Sequence, residues 1–119
     1  MLALIALKAR QRILARNRAI LLENTARLEA LFAAFPGLIE WRRPMGGCVA
    51  FPRYAGAGSV EDFCRRLLEE SGVLLLPASI YRSDLTETPK QHFRIGFGRC
   101  MGFGQGLAAM QAHFEKHFG

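Results

Sequence analysis

The 119-residue chain is poor in cysteine and lysine and has no apolar run long enough to cross a membrane. Its cysteines are Cys48, Cys64 and Cys100, an odd number at wide spacing with no CxxC pair. That excludes a disulfide framework and a cysteine zinc site, and it reads as reduced thiols. Residues 1–7, MLALIAL, are apolar but far too short to span a bilayer. They lack the basic segment and the small-residue cleavage site of a secretory leader, so a cytoplasmic location is expected. The lysines are only Lys8, Lys90 and Lys116, none in a setting that looks catalytic. Internal repeats and low-complexity tracts are absent. No Ser-His-Asp or Cys-His pairing can be argued from the positions present.

What is there suits one compact domain. Hydrophobic residues make up 50% of the chain and charged residues 22%, a globular balance that argues against disorder. At this length a domain buries about 65% of its unfolded surface. The net charge is +6, and Lys8, Arg10, Arg12, Arg16 and Arg18 all precede the first acid, Glu23. Such a run can serve nucleic acid or an anionic surface, or it can be a solvated or domain-contacting helix face. No nucleic-acid motif accompanies it, so neither a nucleic-acid nor a membrane partner is expected.

Leu7, Leu14, Leu21, Leu28 and Phe35 recur every seven residues, joined by Ile13, Ile20 and Leu31. The spacing predicts one helix over residues 6–35, stopped by Pro36-Gly37. Its second half is expected to pack on a sheet, and its first half to need another surface. Residues 38–41 and 48–51 read as two strands of a hairpin around the Gly46-Gly47 turn. Ser59 predicts an N-cap with Asp62 three residues on, for a helix over 60–71 that ends at Gly72 and turns Phe63, Leu67 and Leu68 inward. Residues 73–76 predict an apolar strand ended by Pro77, and residues 78–91 a polar loop. A last strand follows over 92–97, then a glycine-rich link and a helix over 105–117. The order α, β-β, α, β, β, α predicts an α+β two-layer sandwich: a small, mostly antiparallel sheet with helices on one face.

The candidate sites are few. In an extended strand alternate side chains face opposite sides, so Phe93, Ile95 and Phe97 share a core face while His92, Arg94, Gly96 and Gly98 share the other. An arginine with bare glycine beside it has room for a small carboxylate, which its planar fork grips through two hydrogen bonds. The same pattern also suits a solvated or ion-paired arginine. In GFGRCMGFGQG the G-x-G-x-x-G spacing fails in both registers, at Met101 and at Leu107, and no Walker lysine is present. His113 and His117 share a helix face, but the sequence places no third ligand with them, so no metal site is expected and favourable charge at a helix C-terminus accounts for the pair.

Four landmarks together resemble the C-terminal small domain of class I/II, fold type I aminotransferases. RNRAILLENTARLEALFAAFPGL is similar to the long helix leading from the large domain into the small one. PMGGCVAF resembles the P-x-G-G-x-[hydrophobic] hairpin, and GVLLLPASIY the G-V-x-x-x-P-G-x-x-F segment. FRIGFG resembles the strand whose arginine binds the substrate α-carboxylate, which here is Arg94. Two departures stand out: Pro77-Ala78 replaces the usual Pro-Gly, and Cys-Met-Gly-Phe-Gly follows Arg99 where a polar helix start is usual.

The resemblance spans nearly the whole chain, as a single domain over 1–119 without the large domain. It implies a part of an enzyme that moves an amino group between an amino acid and a 2-oxo acid. It implies pyridoxal 5'-phosphate as cofactor, bound by the large domain, and as partners that large domain, the amino acid or 2-oxo acid substrate, and a second copy in a homodimer. The Schiff-base lysine and the cofactor-binding residues would lie in the large domain, so this chain alone is expected to be inactive. Two alternatives stay open: the small domain of another fold type I enzyme (a decarboxylase, lyase, cyclase or synthase), or a stand-alone module that binds a carboxylate or a protein partner.

Overall fold

A computed structural model describes residues 1–119. Its elements in chain order are α1 (Leu2–Lys8), α2 (Arg10–Ala34), β1 (Ile39–Glu40), β2 (Val49–Ala50), β3 (Arg53–Tyr54), α3 (Val60–Ser71), β4 (Leu76–Pro77), β5 (Phe93–Gly96) and α4 (Phe103–Phe118), with a 3-10 turn over Ala78–Tyr81. The architecture is α+β, with small antiparallel sheets and helices over the core face.

The long helix starts earlier than the heptad suggests and breaks at Ala9 (φ −91°, ψ 7°). Its two halves differ in surroundings. Leu28, Leu31 and Phe32 are buried in the core, whereas Leu2, Leu4, Ile5, Leu7 and Leu14 are exposed. The basic side chains of this first half lie in water with no acidic partner within 4.0 Å. Asn24 fixes where the second half sits. This buried side chain donates from Nδ2 to the carbonyls of Phe97 (2.9 Å) and Arg99 (2.7 Å), tying α2 to the link after β5. Nothing in the local pattern singles out Asn24, since its partners lie more than seventy residues away.

The helix over 60–71 forms where its caps place it. Ser59 Oγ accepts from the Asp62 amide at 3.2 Å, and Gly72 takes the left-handed conformation (φ 72°) while its amide reaches Leu68 O at 2.9 Å. Glu61 and Asp62 put negative charge at the positive end of the helix dipole. Phe63 and Leu67 turn inward as expected, but Leu68 does not: it is 43% exposed. Phe63 is the hub of the aromatic core. It stacks on Tyr54 at 4.4 Å and meets Phe93 at 5.8 Å and Phe114 at 6.0 Å.

Strand pairing differs from the sequence expectation. Residues 38–41 and 48–51 do not form a hairpin with each other. Instead β1 pairs with β3, and β2 pairs with β5. The chain over 49–54 runs from one sheet to the other, with Pro52 at the change of partner and its carbonyl accepting from Phe93 N at 3.1 Å. The main sheet has the antiparallel order β2-β5-β4. The strand expected over 73–76 is paired only at Leu76–Pro77; Pro77 ends it and is tolerated there because β4 is an edge strand, where a missing N–H leaves no partner unsatisfied. β5, in the centre, shows the expected alternation: Phe93, Ile95 and Phe97 are buried while Arg94 and Gly96 face the other way.

Candidate functional site

Arg94 projects from the sheet face opposite the core, opposite Leu76 of the edge strand in the register. Its Nη1 donates to the hydroxyl of Tyr81 at 2.9 Å, and its guanidinium carbon lies 5.7 Å from the centre of the same ring. Tyr81 is braced in turn by Phe51, ring centres 5.8 Å apart and nearly perpendicular. No carboxylate of the chain lies within 4.0 Å of Arg94, so the ion-pair reading of the sequence pattern does not apply. Cation–π contact with one hydrogen bond holds the fork on one side and leaves donors free.

The glycines beside Arg94 play different parts. A Cβ on Gly96 would meet only the Cys48 carbonyl, at 3.9 Å, so the floor there is open. A Cβ on Gly98 would come within 2.8 Å of Cys48 Cβ, so glycine lets the two segments approach. Arg94 lines a cleft of about 600 Å³ with Cys48, Val49, Leu75, Gly96 and Gly98, and its far wall comes from the start of α4. That volume suits a small ligand. His92, the other polar residue of this strand face, has its Nδ1 2.8 Å from the Lys90 carbonyl.

Two of the three thiols are exposed, Cys48 at the cleft and Cys100 beyond it. Cys64 is buried in α3, and its thiol is pushed up to about 12, first by burial and then by the Glu61 carboxylate. The thiolate is the reactive form, and a raised value keeps Cys64 protonated through pH 8. In the native chain at pH 8, two thiols are therefore expected to react promptly with an aromatic disulfide reagent, and the third only after denaturation. Three prompt thiols would mean that α3 does not pack as described.

No family model matches the chain. The PLP-dependent aminotransferase of Streptococcus suis 89-1591 superposes on 99% of it with a TM-score of 0.81 and 33% identity. This chain has the fold of an aminotransferase small domain. The PLP-dependent cyclase OrfR matches 93% of the small domain at a TM-score of 0.72 and 28% identity. Capreomycidine synthase of Streptomyces vinaceus is 34% identical over 96 residues, 79% of this chain. The α-aminoadipate aminotransferase LysN of Thermus thermophilus shares the fold at 18% identity, with a TM-score of 0.73 over 94% of the chain. The small domain spans only 23% of the synthase and 30% of the Streptococcus suis and OrfR chains.

Pyridoxal phosphate enzymes hold their cofactor through a lysine Schiff base. The lysines of this small domain do not fit that task. Lys8, Lys90 and Lys116 are all exposed, Lys116 faces Glu70 at 3.5 Å, and none lines the Arg94 cleft. What the residues present do offer is an arginine without a carboxylate partner, Arg94, at the wall of an open cleft.

Proposed function

We propose that this small domain is the substrate-carboxylate-binding part of a larger pyridoxal-phosphate aminotransferase. The whole enzyme moves an amino group between an amino acid and a 2-oxo acid, and works as a homodimer in the cytoplasm. What carries this reading is Arg94: a guanidinium without a carboxylate partner, over an open glycine floor, on the central strand of a fold matched along 99% of its length to an aminotransferase. Its role is to grip the α-carboxylate with two parallel hydrogen bonds, so that the amino group is presented to the cofactor held by the large domain. The exposed apolar side chains of α1 and early α2 fit burial against that domain. Alone, with no fitting lysine, the small domain is inactive.

A second reading has a specific observation behind it. Two of the relatives, a synthase and a cyclase, carry out reactions other than transamination by name. In this reading Arg94 and the fold serve the same purpose, and the large-domain pocket decides the reaction.

The test is the DNA immediately upstream of the Met1 codon, followed by assay of the joined product. An upstream frame, continuous or one frameshift away, that encodes a cofactor lysine is expected. The joined enzyme should then pass an amino group to a 2-oxo acid. Cyclised product with no use of an oxo acid would favour the second reading. No such frame would overturn both and leave a carboxylate-binding module.

A further inference from the structure

His113 and His117 lie one turn apart on α4, and the sequence by itself offers them no third ligand. The fold does. α3 packs along α4, and Glu70, in the last turn of α3, reaches across to both rings. Its Oε2 lies 2.5 Å from His117 Nε2 and 3.5 Å from His113 Nδ1. One donor atom from each of the three residues falls within 4.8 Å of the others. We propose that Glu70, His113 and His117 bind a first-row divalent transition metal of the zinc class, which clasps the C-terminal ends of α3 and α4 together.

The donor set is the first argument. Two imidazoles and one carboxylate suit zinc and its neighbours, and leave a fourth position for water. Geometry is the second. Zinc bonds of about 2.0–2.2 Å place tetrahedral ligand atoms roughly 3.3 Å from one another. The Glu70–His113 separation is already of that size. The Glu70–His117 pair must open by roughly 1 Å to admit an ion at those bond lengths. Both of those side chains are part-exposed and free to turn, whereas His113 is buried beside Phe114 and Phe118 and acts as the fixed post. The ring nitrogen of His113 that faces Glu70, Nδ1, is the donor this buried post offers. Two cations oppose the ion: Lys116, whose Nζ lies 3.5 Å from the same Glu70 oxygen, and Arg66, whose charge reaches His113. The cluster shares no residue with the Arg94 cleft, so this inference does not depend on the proposed reaction.

The experiment is calorimetric titration of the full 119-residue chain with zinc chloride alone near pH 7, in a Cys48→Ser, Cys100→Ser background that removes the exposed thiols as competing ligands. Thermal melts with and without zinc accompany it. One ion per chain and a zinc-dependent rise in Tm are expected. His117→Ala and Glu70→Gln should each weaken zinc binding by at least about tenfold, the scale on which even outer-shell changes act, and abolish the rise in Tm. Cobalt in place of zinc should give the intense visible bands of a tetrahedral site in the parent and not in His117→Ala. Absence of saturable binding in the parent would overturn the proposal. So would variants that melt lower without metal yet keep full zinc affinity, since the three groups would then be a hydrogen-bonded clasp only.

Discussion

Arg94→Ala, in an enzyme that joins residues 1–119 to a matching large domain, is expected to lower kcat/KM for the amino acid by about 100- to 1,000-fold. Two charge-assisted hydrogen bonds at about 1.5–2 kcal/mol each set that scale. The remaining 70% of the Streptococcus suis aminotransferase, left by the 30% this chain matches, is a suitable large domain for the joined protein. Arg94→Lys keeps the charge but loses the two-pronged geometry, and should recover only part of the activity. Cofactor absorbance should be unchanged in both variants, because the proposed role of Arg94 is to hold the substrate carboxylate and not the cofactor. The loss should appear for substrates with an α-carboxylate and vanish for amines that lack one. An Arg94→Ala enzyme with normal kcat/KM would remove the carboxylate role. A loss of cofactor would mean a folding defect instead, and the Arg94→Lys variant separates the two.

Phe63→Ala is expected to cost the domain about 3–5 kcal/mol, the usual range for emptying a buried phenylalanine site. Its ring touches elements from several parts of the chain: Tyr54 of β3, Phe93 of β5, and Phe114 and Phe118 of α4. No single neighbour can move in to fill the space. Against a typical total stability of about 5–15 kcal/mol, the loss is large enough to lower the urea midpoint steeply. Leu68→Ala is the control. Leu68 lies on the same helix and is 43% exposed, so its cost should stay below about 1 kcal/mol. Equal costs at the two positions would mean that α3 is rotated from the orientation described.

Leu68 also shows how far a local pattern reaches. The caps of α3 are local chemistry: a serine hydroxyl for one orphan amide, acids at the positive end, and a glycine that adopts positive φ without strain. Those residues decide the helix and its limits whatever surrounds it, and the helix forms over residues 60–71 as expected. Which apolar side chains of that helix are covered depends on what packs there, and the shared face of Phe63 and Leu67 is narrower than the apolar run suggests. The long helix behaves alike. Its seven-residue repeat is real, but only the half from Leu21 onward finds a core, because the other half has no neighbour within this chain.

By itself, the sequence determined the α+β class, the alternation of β5 that buries Phe93, Ile95 and Phe97, and the singular position of Arg94 beside Gly96. Period and capping are short-range rules that a linear pattern carries. Only the tertiary structure decided the partners. β1 joins β3 rather than β2, Pro77 sits harmlessly in an edge strand, Asn24 ties α2 to the link after β5, Tyr81 lies under the Arg94 guanidinium, and Glu70 meets the two histidines of α4. Each of these joins residues distant in sequence, through pairing or hydrogen bonds that form once the packed core has brought them together, and no local periodicity records such a distance.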